Sequence, residues 1–496
     1  MPIDPRAPVV VGVGQTSQRV PAPEAAPPIE LFERAARDAE ADSGAALLGR
    51  VDVVACVQIV SWRYPDPGAL LAHRLGISPR ATAVSTVGGN SPQALVNEFA
   101  ARIARGECDV VLIGGGESMH TRWRARREPR HELTWETGDD AECTWVIGDD
   151  RPGSSTYEMA HGAVAPTMVY PLFETALRAE AGREIDEHQR HVSELWASFA
   201  AVAAANPNAW SRVAYTPEEI RTVTPDNRMV AFPYPKRMCS NIDVDQGAAI
   251  ILCSYEAARA AGVTEDKMVF LHAGAAANDH WFFTERDSLT RSPAIAAAVS
   301  GALAVANLSV DDVDLFDLYS CFPSAVQIAM REIGVDDGAR PLTVTGGLAF
   351  AGGPVNNYPT HAIATMVDRL RREPGRVGLT TALGWYVTKH AVGIWSTHPP
   401  APGFALADGV QERVDSQPRR EPAGLVDGTA TVEATSVPFA RDGTVSSAIV
   451  TLLTDDGRRA LATVRDADLA AALTESPWEG RRVRVRNDGT VNTLEG

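Results

Sequence analysis

The chain has 496 residues, of which 45% are hydrophobic and 22% are charged, and its formal net charge is −17 at pH 7. This length predicts two or three domains rather than a single core. The acidic balance argues against nucleic acid as a general partner. The sequence has no run of about 18 apolar residues, so no membrane span is predicted.

The N-terminal residues and the cysteines indicate the setting of the chain. Residues 1–6 lack a basic stretch followed by an apolar one, so no secretory signal is predicted. The six cysteines form no CxxC pair and no metal-ligand spacing, so we predict no metal site and a reduced, cytoplasmic setting. They are Cys56, Cys108, Cys143, Cys239, Cys253 and Cys321.

Strands and helices alternate over the first 120 residues, a pattern typical of a layered α/β core. The predicted strands are 9–14, 51–57, 81–85 and 109–113, and the predicted helices are 28–39, 68–75 and 93–100. The first strand ends in a glycine pair, but the third glycine and the acidic residue of a nucleotide fingerprint are missing.

The turn at Gly88, Gly89, Asn90 and Ser91 joins a predicted strand directly to a predicted helix. Such a helix start presents unpaired backbone N–H groups, which can hold an anion or a polarised carbonyl. A low-pKa nucleophile would also be expected there. None of Gly88, Gly89 and Asn90 is a nucleophile.

Between about residues 120 and 240 the regular alternation stops. Two helices are predicted at 171–180 and 187–205, and the segment is predicted to be an insertion that covers a binding cleft. A cluster of basic side chains near its start could meet phosphates or pair with nearby carboxylates. The basic residues are Arg122, Arg124, Arg126, Arg127, Arg130 and His131, and the carboxylates are Glu136, Asp139 and Asp140.

The second half of the chain repeats the pattern of the first. Val51-Asp52 and Val313-Asp314 each open a strand, 262 residues apart. Gly88-Gly89-Asn90 and Gly352-Gly353-Pro354 each precede a helix and a strand, 264 residues apart. Two copies of one unit predict a pseudo-twofold core whose corresponding turns face each other across a shared ligand cleft.

After about residue 402, short alternating strands predict a small antiparallel β-barrel domain. These strands are 429–435, 446–452 and 460–464. The predicted divisions are an N-terminal half at 1–119 and 245–265, an insertion at 120–244, a C-terminal half at 266–405 and the β domain at 406–496.

Four segments together resemble the thiolase superfamily. They are Gly89-Asn90-Ser91-Pro92-Gln93-Ala94, the strand end Gly115-Gly116-Glu117-Ser118-Met119, Asp245–Ala249, and Gly346-Gly347 followed after four residues by Gly352-Gly353-Pro354. The resemblance implies a duplicated βαβαβαββ core, layered α/β/α/β/α, with a loop-domain insertion. With the added C-terminal domain, expected to be OB-like, the chain is similar to the thiolase-like protein type 1 group. That group is often labelled acetyl-CoA acetyltransferase and lies near the lipid-transfer (sterol-carrier) thiolases.

The positions that carry thiolase chemistry differ in this chain. That chemistry uses a thiolate at a helix start, an activating histidine, a second cysteine and an oxyanion donor. The corresponding positions hold Gly88, Gly353, Ala382 and the run Tyr319-Ser320-Cys321-Phe322. The sequence therefore predicts that no covalent thiolase mechanism operates at the usual place.

Other polar residues near these positions are candidates for a noncovalent mechanism. The candidate catalytic residues are Tyr319, Tyr358, His361, His390 and Cys321. The candidate ligand-binding residues are Gly88, Gly89, Asn90, Ser91, Gly352, Gly353, Asn356 and Asn357. Each has a structural alternative, such as a packed aromatic ring, a local cap or an inert buried thiol.

The resemblance implies three functions. The first is binding of acyl-CoA or CoA in an acetyl-CoA acetyltransferase-like fold, with the thioester as substrate or ligand and no permanently bound cofactor. The second is retro-aldol cleavage of an acyl-CoA, with Tyr319 or Tyr358 transferring the proton. The third is a non-catalytic partner or scaffold in lipid metabolism, with a homodimer or another protein as partner.

Overall fold

The computed structural model describes residues 3–127, 130–336, 338, 340–401 and 403–494. The predicted outer domain limits at Met1 and Gly496 lie outside these residues. Strands and helices alternate through the N-terminal half as predicted. Its elements are β1 (Pro8–Ser17), α1 (Pro28–Ser43), β2 (Val53–Cys56), α2 (Pro67–Leu75), β3 (Ala81–Ser85), α3 (Ser91–Ala104) and β4 (Val110–Ser118).

The insertion contributes mostly helices. Its elements are α4 (Met119–Ala125), β5 (Trp145–Ile147), α5 (Thr156–Ala160), α6 (Pro166–Glu180), α7 (Ile185–Ala205), α8 (Pro217–Arg221), β6 (Met229–Phe232) and β7 (Tyr234–Pro235). Helix α6 begins earlier than the predicted Pro171, because Pro166 occupies its first position, where a missing backbone N–H costs nothing.

The chain then completes the first half and builds the second. Strand β8 (Asp245–Ser254) and helix α9 (Tyr255–Ala260) close the N-terminal half. The second half consists of β9 (Val269–Asn278), α10 (Pro293–Val305), β10 (Leu315–Asp317), α11 (Pro323–Ile333), α12 (Gly347–Phe350), α13 (Tyr358–Arg372), β11 (Val377–Gly384), β12 (Lys389–Ser396) and β13 (Ala405–Leu406).

The sheet confirms the predicted duplication. Its order is β10-β11-β12-β9-β1-β8-β4-β2-β3-β5, so β9, β12, β11 and β10 mirror β1, β8, β4 and β2. The two halves join where β1 pairs with β9, through Val9 opposite Phe270 and Val10 opposite Val269. Helices α3 and α13 contact each other and strands of both halves, so they form a central layer beneath the site.

A closed five-stranded barrel forms the C-terminal region, as predicted. Helix α14 (Val410–Asp415) comes before the barrel in the sequence and packs on α10 of the core. The barrel elements are β14 (Gly428–Pro438), β15 (Ala448–Leu453), β16 (Arg459–Val464), α15 (Ala467–Glu475), β17 (Arg482–Asn487) and β18 (Asn492–Leu494). The strands follow the order β15-β16-β18-β17-β14, and β14 closes the barrel by pairing with β15.

Buried charges fasten the barrel to the core. Arg459 is fully buried and forms an ion pair with Glu433 at 2.6 Å. The same guanidinium donates to the backbone carbonyls of Phe283 and Arg286 in the core. Because Arg459 has core and barrel partners at once, the barrel is held in one orientation.

Replacing Arg459 with methionine should destabilise the protein by about 3–5 kcal/mol, because Glu433 and the core carbonyls would lose a buried charged donor. The shift of the denaturant midpoint measures this effect. Arg458→Met is the matched control, since Arg458 is largely exposed and pairs with Asp456. Equal midpoints for the two variants would contradict the assigned anchoring role.

Candidate functional site

The two corresponding turns meet as predicted. The Gly88 N–H donates to Asn356 Oδ1 at 2.9 Å, and Asn356 Nδ2 donates to the Gln58 carbonyl at 2.8 Å. Asn357 Nδ2 donates to the Gly115 carbonyl at 2.8 Å. The two asparagines before α13 therefore bond to loops and strands of the N-terminal half, and both side chains are buried.

The motif glycines lie where a side chain would displace the ends of neighbouring side chains. A Cβ atom on Gly88 would overlap with Asn90 Oδ1 and lie 2.7 Å from Lys389 Cε. A Cβ atom on Gly353 would overlap with Ser240 Oγ, and one on Gly352 with Gln246 Oε1. Neighbouring side chains thus occupy the space that the resemblance assigns to a catalytic cysteine and histidine.

The two predicted tyrosines lie together at the turn. Their rings pack edge to face with centroids 5.6 Å apart. The Tyr319 hydroxyl lies so close to Gly89 that a Cβ atom there would overlap with it. Tyr358 donates to Asp317 at 2.9 Å and lies 2.6 Å from Thr345 Oγ1. Burial raises the pKa of both phenols well above the usual value, so both stay protonated and are poor bases.

His390 lies next to the second-cysteine position. Its Nε2 is 3.1 Å from the Val387 carbonyl and 3.9 Å from Asp279 Oδ2. Together with Tyr319 and Ala382 it lines a small space of about 10 Å³. Burial lowers the pKa of His390 to about 3, so the imidazole is neutral at physiological pH.

His361 bonds to β1 and not to the turns, and Cys321 is a buried thiol. His361 Nδ1 lies 2.9 Å from Gln15 Oε1 on β1 rather than from a residue of either turn. Burial lowers the pKa of His361 to about 3. Burial raises the pKa of the Cys321 thiol to about 12, which leaves almost no reactive thiolate at neutral pH. Ser91, the last predicted binding residue, is buried and donates its hydroxyl to the Thr86 carbonyl at 2.8 Å.

Lys389, the first residue of β12, occupies the nucleophile position. Its Nζ lies 2.8 Å from the point where a Cβ on Gly88 would stand, and it donates to the carbonyls of Val87 at 2.5 Å and Asp149 at 3.0 Å. The sequence predicts the adjacent His390 as a catalytic residue instead. A signal was present, since the chain has 46 lysines and arginines of which only Lys236, Lys267 and Lys389 are lysines.

The strained turn at residues 385–388 sets the position of Lys389. Trp385 and Val387 both adopt positive φ, at 57° and 56°, which branched and bulky residues rarely do. The Tyr170 hydroxyl donates to the Trp385 carbonyl at 2.8 Å, and buried Arg286 donates to the Tyr386 carbonyl at 2.6 Å. The surrounding core therefore imposes the turn conformation that places Lys389 below Gly88.

The basic cluster of the insertion does not pair with the predicted carboxylates in the part of the chain that the structure describes. Arg122 donates to the Val60 carbonyl at 3.1 Å, whereas Glu136 pairs with Arg74. A cavity of about 510 Å³ opens between Trp62 and the arginines. Within the described ranges, no three His, Cys, Asp or Glu side chains converge on a metal site, and no helix there has the length and apolar character to span a bilayer.

Comparisons with known proteins match both parts of the chain. The family described as the thiolase-like protein type 1 additional C-terminal domain matches residues 409–490. The crystal structure of a monomeric SCP2-thiolase-like protein type 1 from Mycobacterium smegmatis is 34% identical, covers 100% of both chains and superposes with a TM-score of 0.85.

More distant relatives share part of the chain or the fold. An acetyl-CoA acetyltransferase of Methanocaldococcus jannaschii is 25% identical over 268 residues, 54% of this chain and 60% of that protein. This chain thus spans less than two thirds of that relative. Human mitochondrial 3-ketoacyl-CoA thiolase in complex with CoA is 20% identical, with a TM-score of 0.56 over 79% of this chain and 99% of that one, which is a likeness of fold alone.

Gly353→Ala should destabilise the protein by about 1–3 kcal/mol, because the added methyl group overlaps with Ser240 Oγ. In a Ser240→Ala background the same substitution should cost less than half as much. Denaturant unfolding of the four proteins of this double-mutant cycle measures the coupling. Additive free energies would show that Ser240 does not exclude a side chain at this position.

The buried His361 should make the protein acid-sensitive. Its pKa is about 3 in the fold and about 6.5 when unfolded, so only the unfolded chain takes up this proton between those values. Stability is therefore lost as pH falls from 6.5. Relative to the parent, His361→Gln should lose about 2–3 kcal/mol less between pH 7 and pH 4.5. The exposed His73→Gln is the control, and identical pH profiles for all three proteins would contradict the assignment.

Proposed function

The chain belongs to the thiolase-like protein type 1 family, and from this membership we propose that it binds acyl-CoA or CoA without the acyl-cysteine chemistry of a thiolase. One observation carries the proposal. Both motif glycines are packed against other side chains, Lys389 and Asn90 at Gly88 and Ser240 at Gly353. A cysteine or histidine at these positions would require its neighbours to move.

Unpartnered polar atoms at the two turns support a ligand there. Asn90 Oδ1 and Gln246 Oε1 are buried and have no hydrogen-bond partner among the described residues. They lie against Gly88 and Gly352, one at each turn. Buried acceptors without donors are unfavourable, and the two amide N–H groups of a pantetheine arm are donors of the required kind. The acetyl-CoA acetyltransferase relative favours the same ligand.

The retro-aldol reaction has weaker support from the geometry. It needs a group that removes a proton from a hydroxyl, and the raised pKa values of Tyr319 and Tyr358 oppose this. The Tyr358 hydroxyl is in addition held by Asp317. Tyrosines in this state could only donate protons.

The barrel is proposed to be an OB-like domain with a supporting role. Its five strands close as a Greek-key barrel, and α15 connects the third strand to the fourth. The buried Arg459 contacts fix it to the core, which favours a structural or partner-binding task over a mobile lid. The likeness to an SCP2-thiolase-like protein supports a place in lipid metabolism. A cytoplasmic setting and a homodimer stay predictions.

Calorimetric titration should detect binding of CoA and acetyl-CoA, whereas consumption of the free CoA thiol in a mixture of acetoacetyl-CoA and CoA should stay at the level without protein. Gln246→Leu removes one unpartnered acceptor and should weaken binding about 5-fold, the loss of one hydrogen bond. Gln417→Leu, at an exposed position just after the C-terminal end of α14, should bind as the parent does.

Two outcomes would overturn the proposed function. If none of the CoA species produced a binding signal, the protein would not be a CoA-binding member of the family. Sustained thiolysis would show that a covalent or equivalent acyl-transfer route operates despite the filled catalytic positions.

A further inference from the structure

Lys389 places an amine where the resemblance puts the attacking thiol. Its Cε and Nζ lie 2.7 and 2.8 Å from the position of a Cβ on Gly88. A side-chain nucleophile on residue 88 would therefore point into the space that the lysine head group fills from the opposite half of the core. The N-terminal half supplies the backbone turn at residue 88, and β12 of the C-terminal half supplies the reactive atom, Lys389 Nζ.

The chemistry of this amine differs from that of a surface lysine. Burial lowers the pKa of Lys389 to about 8, against the opposing effect of Asp149 and Asp150. Those two carboxylates are the charged groups that face Nζ in the described part of the chain, and Arg151 pairs with Asp149. About a tenth of the amine is neutral at pH 7, a much larger share than for an ordinary lysine.

Only a thin layer separates Nζ from solvent. The lysine itself is 2% exposed, but Val87, whose carbonyl it binds, is 39% exposed. The other cover is the segment 148–153, in which Gly148 and Asp150 are exposed and Gly153 rests on the Trp385 ring. Both carbonyls that Nζ binds lie outside the strands, so displacing the Asp149 contact leaves the hydrogen bonds of the sheet intact.

We propose that Lys389 is a self-acylation site, which accepts the acyl group of a thioester bound at the two turns. The inference rests on the proposed function, because the donor is the acyl-CoA ligand. The neutral Nζ attacks the thioester carbonyl carbon, an amide C–N bond forms and the C–S bond breaks. The nitrogen loses one proton, and CoA leaves as the thiol.

The product explains why no turnover accompanies the reaction. An amide is far more stable to water than a thioester, so each chain accepts one acyl group. The acyl-lysine has one N–H donor where the ammonium has three, so it cannot hold the carbonyls of Val87 and Asp149 together. Acylation therefore loosens the segment 148–153, which keeps the hydrogen bonds from the Thr86 hydroxyl to the Asp149 carbonyl and from Trp281 Nε1 to the Pro152 carbonyl.

The test is mass spectrometry of the full chain after incubation with acetyl-CoA, with peptide mapping of its three lysines. We expect one acetyl group per chain at Lys389 and faster proteolysis within 148–153 after labelling. The labelling rate should rise about 10-fold from pH 7 to pH 9 and then level off. Lys389→Arg should abolish labelling, whereas Lys236→Arg and Lys267→Arg, as matched controls, should label like the parent.

The outcomes separate this inference from the proposed function. If calorimetry shows CoA binding while Lys389 stays unmodified or labels no faster than the other two lysines, self-acylation is overturned and the proposed function stands. If no CoA species binds and only p-nitrophenyl acetate, an acyl donor without CoA, labels Lys389, both the proposed function and acylation by a thioester are overturned. Mapping on the unmutated protein keeps the test valid even if Lys389→Arg fails to fold.

Discussion

The hydrogen bond from the Gly88 N–H to Asn356 Oδ1 is the contact on which the site depends. It joins the turn before α3 to the residues before α13, the corresponding turns of the two halves. Because the donor is a backbone group and the acceptor is buried, neither partner can be lost without leaving an unsatisfied polar group. A Cβ atom on residue 88 would in addition overlap with Asn90 Oδ1 and lie close to the Lys389 head group.

The packing of side chains against the two turns explains why the site lacks thiolase chemistry and which groups can still react. Lys389 and Ser240 fill the volume beside Gly88 and Gly353. The same burial keeps the phenols of Tyr319 and Tyr358 protonated and the imidazoles of His361 and His390 neutral. Among Lys389 and the candidate catalytic residues Tyr319, Tyr358, His361, His390 and Cys321, Lys389 is the one whose pKa burial moves toward neutrality.

The surroundings of the site are arranged to hold this geometry. Buried Arg286 and Tyr170 bind the strained turn at 385–388, and Arg286 also presents its carbonyl to Arg459 of the barrel. The turn that carries Lys389 is thus connected through a few buried contacts to the C-terminal domain. A barrel fixed in this way stabilises the second half of the core where its backbone is least relaxed.

The duplicated α/β core, the β domain after it and the absence of a nucleophile at Gly88 can all be predicted from the amino-acid sequence. Hydrophobic periodicity, a repeat spacing of 262–264 residues and glycine-rich turns are local signals that survive without coordinates. Tertiary structure alone decided which side chains face the turns. His361 Nδ1 contacts Gln15 Oε1, and Lys389 rather than His390 lies beside Gly88. Neighbours in sequence on a strand point to opposite faces, so one residue of register separates a structural histidine from the amine at the centre of the site.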